Sequence, residues 1–131
     1  MSSYSNALQI AVRQNILGAN TGAHSVLDHQ ADDDARHPLI QIGNWQIISD
    51  DVSGFNGTDR FLDLHVWSMK TDKEEVNTIL DALYSAFHAS ELTVEGLRSC
   101  HVYIEKTLVL EDPEAEAMHG VITLKIHCRE E

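Results

Sequence analysis

Basic residues are scarce in this chain. Nine Lys and Arg stand against 21 Asp and Glu over 131 residues, a formal net charge of −12. That balance excludes a nucleic-acid binder that grips by neutralising phosphates, because such binding needs a clustered Lys/Arg footprint. It leaves room for a protein that sits beside DNA without holding it. Cysteine is scarce too: Cys100 and Cys128 lie far apart, with no paired C-x-x-C to give zinc-site spacing. They read as reduced, small, buried residues rather than as a disulfide. No apolar run approaches the roughly 18 residues of a membrane span. No basic-then-apolar signal segment opens the sequence, so the default compartment is the cytoplasm. Internal repeats, low-complexity tracts and linkers are also missing, which leaves one domain over residues 1–131.

What is present is patterned. Leu62, Leu64 and Val66 alternate with Asp63, His65 and Trp67, the period of two that marks a strand with one buried face. The period then changes: Val76, Ile79, Leu80, Leu83 and Phe87 recur at helical spacing, behind Thr71-Asp72-Lys73-Glu74 in the form of a capping box. A strand therefore hands over to an amphipathic helix that folds back across the sheet.

The rest of the chain extends this arrangement. Tyr4–Leu17 reads as a first helix, with Leu8, Ala11, Val12 and Ile16 on one face and Gly18 placed to close it. A short strand at Val26–His29 precedes a loop with Asp32, Asp33 and Asp34, closed by Pro38. Leu39–Ile48 is a strand with a bulge or kink at Gly43, and the SDDVSGFNGTD stretch is a hairpin loop or arm. Leu92–Val94 reads as a short strand, and Glu95-Gly96 turns the chain into a strand over Leu97–Leu110. An acidic turn then leads to the cleanest alternation of all, Met118–Arg129, with Ile122, Leu124, Ile126 and Cys128 on one face. The order gives an α+β fold: an antiparallel or mixed sheet of five or six strands with two helices packed on one face. The other face would carry Asp63, His65, Trp67, His101, Tyr103, Lys125 and His127, too mixed for a core and too aromatic for a plain solvent face.

Several segments together resemble the tail-completion, or tail-terminator, family of long-tailed bacteriophages and gene-transfer agents. They are the opening SSYSNALQIAVRQNIL, the L-x-V-W-S element at Leu64–Ser68, the E-V-x-x-I-x-x-A-L helix at Glu75–Leu83, the turn at Leu92–Leu97 and the closing Met118–Leu124. The likeness covers nearly the whole chain in order, and L-x-V-W-S is its most specific piece. It departs from the family pattern in the Asp32–Asp34 run and in its eight histidines. The resemblance implies a structural virion protein without enzymatic activity or cofactor. Its subunits would form a homo-hexameric ring capping the head-proximal end of the tail tube. The ring would end tube polymerisation and join the tail tube protein to the neck or stopper protein, while DNA passes through without specific binding.

A ring uses heterologous contacts between copies. The candidate interface residues are His65, Trp67 and Tyr103 on the open sheet face, with Asp50, Asp51, Phe55 and Asn56 in the arm. Asp32, Asp33 and Asp34 are candidates to face an acidic, phosphate-repelling lumen or a neighbouring ring. Two other readings stay beside this one: a neck or head-completion ring, and, in a different class, a small cytosolic ligand- or metal-binding domain. The latter would use His65, His101 and His127 if their strands are neighbours, although no H-E-x-x-H or comparable ligand spacing supports a metal. The aspartate run lacks the EF-hand pattern and its glycine. Nucleophile-elbow and paired-carboxylate signatures are absent from the sequence.

Overall fold

In the computed structural model, residues 4–30, 35–50, 57–114 and 116–130 are described. Eight elements follow in chain order: α1 (Ser5–Gly18), β1 (Ser25–Leu27), β2 (Leu39–Asp50), β3 (Gly57–Ser68), α2 (Glu74–Phe87), β4 (Ser90–Glu91), β5 (Leu97–Asp112) and β6 (Ala117–Glu130). The strands form one six-stranded sheet in the order β1-β2-β3-β6-β5-β4. Only the β1–β2 pairing is parallel.

The alternation read from the sequence sets which face is which. Leu62, Leu64 and Val66 on β3, and Ile122, Leu124, Ile126 and Cys128 on β6, point into one core with Leu8, Val12 and Ile16 of α1 and Val76, Ile79, Leu80, Leu83 and Phe87 of α2. Both helices lie on this side, and no described helix or strand covers the opposite side of the sheet. Burial of these apolar side chains, at about 25 cal/mol per Å² removed from water, is the main favourable contribution to the fold.

Three register shifts interrupt the sheet: one at the start of β5, between Leu97 and Ser99, and two that re-phase the middle of the sheet. On β2 the register shifts between Ile42 and Trp45. A side-chain carbon on Gly43 would sit 2.7 Å from the Asp63 carbonyl oxygen, so only glycine fits that approach. The extra residue turns Trp45 to the helix side, where its indole Nε1 donates to Gln9 Oε1 of α1 at 2.6 Å. On β5 a second shift falls between Ile104 and Lys106. It puts Val109 on the core side and swings Leu108 and Leu110 to the open face, opposite Val121 and His119 of β6.

Several local expectations are corrected. Thr71 does not cap α2; Asp72 Oδ1 accepts from the Glu74 amide at 3.0 Å, one residue closer than a capping box requires. Glu74 and Glu75 occupy the first turn, where their charge favours the helix dipole. The strand-to-helix corner is tied instead by Ser68, fully buried, whose Oγ donates to Glu75 Oε1 at 2.7 Å and accepts from the Lys70 amide. Past α1 the left-handed residue is Asn20 rather than Gly18, because Ala19 still has helical geometry. The expected strand at Leu92–Val94 is replaced by the two-residue β4 just before it. Gly96, at φ +88°, makes the tight turn into β5.

Candidate interaction surface

The open face is built from the outward residues of β3, β6 and β5, and its centre is an aromatic stack. Trp67 and His119 face each other across the β3–β6 pairing, with ring centroids 3.8 Å apart and planes 7° apart. His65, two residues along β3, lies against the other side of this arrangement, its Nδ1 2.8 Å from His119 Nε2. The pairing register brings these three rings together: Trp67 sits opposite His119, and His65 is the next residue of β3 on the same face. Trp67 and His65 are half-buried within their own chain. Tyr103 shares the face but stands farther out on β5, exposed, where His88 meets its ring edge-on and Tyr84 in turn stacks on His88. These three rings wrap the β5 edge from the helix side to the open side.

Polar pairs fill the rest of the face. Thr123 Oγ1 donates to Asp63 Oδ1 at 2.7 Å, and His127 Nδ1 lies 2.6 Å from Asp59 Oδ1. Lys106, Lys125 and Arg129 are interspersed with Asp59, Asp63 and Asp112, so the face carries both signs and no basic stripe. His101 lies opposite His127 in the register, whereas His65 pairs with Val121, six residues from His127. That separation is about 20 Å along an extended strand. The His65–His101–His127 cluster is therefore not formed, and among the described residues no group of three or more His, Cys, Asp and Glu side chains is placed to hold a metal ion.

The backbone of Asp50 closes the β2–β3 hairpin opposite Gly57. Asp51, Phe55 and Asn56 lie outside the described residues, as do Asp32, Asp33 and Asp34. Sequence reasoning missed His119 as a member of the stack. Its only signal is alternation along β6, and its partners are set by a pairing 52 to 54 positions away in the chain. Cys100 and Cys128 are free and buried on the core side, with sulfurs 3.7 Å apart. Their mutual hydrogen bond and burial push the Cys100 thiol up, which keeps it protonated and unreactive.

His119 is held below the usual imidazole range, first by burial and next by the neighbouring His65, with Asp112 acting the other way. The unfolded chain then takes up the proton before the folded one does. The stabilisation is complete above about pH 6.5 and is lost as pH falls from there toward the folded-state value. The urea midpoint is expected to drop between about pH 7.5 and pH 5.5. His119→Phe, which keeps a ring on Trp67 but cannot titrate, is expected to shrink that drop. An unchanged drop in the variant would show that His119 titrates as it does in water.

Among the described residues no helix is long and apolar enough to cross a membrane. No curated protein matches the sequence. A solved structure described as the virion of a native gene transfer agent particle contains a chain of the same fold. It aligns with a TM-score of 0.81 at 14% identity, covering 98% of this chain and 99% of that one. The sequence also matches the family described as Tail completion protein gp17 over residues 8–128. With a match that spans both helices' core faces and every strand, the chain belongs to the tail completion protein gp17 family and is a structural virion protein of the tail.

Proposed function

We propose that this protein is the subunit of a homo-hexameric ring that caps the head-proximal end of a tail tube. The ring ends tube polymerisation, receives the neck or stopper protein on its other side, and leaves a hole through which DNA passes. The observation that carries this reading is the one-sided fold. Two helices cover one face of a six-stranded sheet, while the other face carries Trp67, His65, His119, Tyr103, Leu108 and Leu110 among polar pairs. A monomer gains little from such a face, and a repeated assembly uses it. The charge distribution agrees with DNA passage without gripping: the net charge is −12, and the cations of the open face are interspersed with carboxylates. A surface of that kind lacks the phosphate-neutralising footprint that makes DNA stick. The reading needs no reactive centre, and its work is done by shape.

Sedimentation and native mass measurement over a range of protein concentrations test the proposal, together with electron microscopy of assembled particles. The expected result is a closed species of six copies with a central hole, positioned where the tube meets the neck. A chain that stays single at every concentration and is found away from that junction would end the reading.

A further inference from the structure

The two long edges of the sheet are each left open over part of their length. β4 pairs with β5 only at Val102 and His101, and the amide of Ile104 is taken by His88 Nδ1 at 3.1 Å. From Thr107 to Glu111 no described strand lies on the outer side of β5. At the far side of the sheet, β1 pairs with β2 only at Leu39–Gln41, so no described strand lies on the outer side of β2 from Trp45 to its end. Both open stretches carry exposed aliphatic side chains: Leu108 (46%) and Leu110 (44%) on β5, Ile47 (50%) and Ile48 (49%) on β2. Exposed apolar edges invite strand pairing, and a chain that left both bare would be prone to aggregate.

The direction of the unpaired backbone groups follows from the neighbouring hydrogen bonds and the register. The Leu92 amide donates to the Cys100 carbonyl, and the Ile104 amide reaches His88, so Cys100 and Ile104 face away from β6. These residues sit opposite Cys128 and Leu124; β6 pairs through this region without a shift of its own, so every second residue of β6 has an outward-facing partner. Ile122, Gly120 and Met118 continue that series, and their partners are Thr107, Val109 and Glu111. These three therefore present N–H and C=O to the outside. The same alternation carried through β6 and β3 makes Trp45, Ile47 and Ser49 the outward residues of β2. The four strands β2-β3-β6-β5 run alternately up and down, so the two open edges are antiparallel to each other. The outward residues of β5 and those of β2 up to Ile47 have their side chains on the helix side.

We infer that the Thr107–Glu111 edge of one copy adds to the β2 edge of the next copy as an antiparallel strand pair, with Val109 opposite Ile47. In this register Leu108 of one copy meets Ile48 of the next on the open face, and Val109 meets Ile47 on the helix face. A shift of two residues either way breaks the match, placing Glu111 against Ile47 or Leu108 against Gln46. The contact is heterologous, so it leaves one free edge of each kind on every growing chain and is complete only when the ring closes. The inference deepens the ring reading by naming which surfaces of the subunit meet.

Two variants of the full-length chain test it. The Thr107 amide is not used by the β5–β6 ladder, so Thr107→Pro deletes an outward donor while leaving the fold in place. Its urea midpoint is expected to match the parent, while half-assembly moves to on the order of tenfold higher protein concentration. In the second variant, Leu108→Cys is combined with Ile48→Cys. These positions form a non-hydrogen-bonded cross-strand pair between copies, close enough for a disulfide, whereas Cys100 and Cys128 are buried. Mild oxidation of the assembled double variant with oxidised glutathione is expected to give covalent multimers in steps up to the full ring. Each single variant is expected to stay uncrosslinked. A proline variant that folds and assembles like the parent overturns the inference but not the ring. So does an assembled double variant that gives no multimers, or crosslinking by Leu108→Cys alone, which would mean that two β5 edges pair with each other. A parent chain that stays single at every concentration overturns both readings, so the two failures are distinguishable.

Discussion

Phe87→Ala is expected to lower the free energy of unfolding by about 3–5 kcal/mol, the range for emptying a buried phenylalanine site. Phe87 is the last residue of α2 and heads the fully buried side chains by volume. The helix end around it is pinned, which limits how far the site can collapse. Its carbonyl accepts from Ser90 Oγ at 2.6 Å, and the next amide, that of His88, donates to the Tyr84 carbonyl at 2.8 Å. The residue after Phe87 is the histidine that holds the Ile104 amide at the β5 edge, so the cavity also loosens a support of that edge. Urea titration followed by circular dichroism measures the loss. Tyr84→Ala, at an exposed position on the same helix, serves as the comparison and is expected to cost less than about 1 kcal/mol. Equal and small losses for the two variants would show that the end of α2 is not anchored in the core.

How much of this arrangement the sequence reveals depends on which period governs each residue. Strong local alternation made β3 and β6 readable almost to their ends, because a one-residue slip would turn Leu62, Leu64 and Val66 out of the core. The five apolar positions of α2 were equally plain, since they repeat at 3.6 residues. Caps were less secure: Thr71 satisfies the capping-box pattern, yet Asp72 lies nearer the first free amide and takes it. The bulge in β2 was marked by a glycine that backbone crowding requires, and so it could be read. The bulge at Glu105 in β5 has no such marker. Glu105 carries no special backbone preference, and the reversal that sends Leu108 and Leu110 outward depends on how β5 settles against β6. The stack at the surface has the same origin. His65 and Trp67 could be placed on one face from alternation alone, whereas His119 joins them only through a long-range register. The family resemblance, in contrast, was carried by ordered short segments, and the match over residues 8–128 agrees with it.

Gly120→Val is expected to be nearly as damaging as a core truncation, for the opposite reason. Gly120 lies on the helix face of β6, where a side-chain carbon would sit 2.9 Å from Val76 Cγ2 and 3.0 Å from Leu80 Cδ1. Without a side chain there, α2 approaches the sheet closely, and this contact sets the spacing of the two layers over Val66 and Val109, its pairing neighbours on β3 and β5. Valine adds three carbons to a site with no room for the first. Leu80 can swing its flexible end away, but Val76 is stiff about its first side-chain torsion, so the helix has to lift. Overpacking of this kind costs about 1–3 kcal/mol, and more where the backbone has to move. Leu80→Ala alone is expected to cost about 2–5 kcal/mol as a buried truncation. Combined, the two changes oppose each other, because the space vacated by Leu80 receives part of the new valine. The double variant is expected to lose at least about 1 kcal/mol less than the sum of the single losses, a coupling that urea midpoints of the four chains measure directly. Strict additivity would mean that α2 does not rest on Gly120, and the close helix–sheet contact would have to be sought elsewhere along β6.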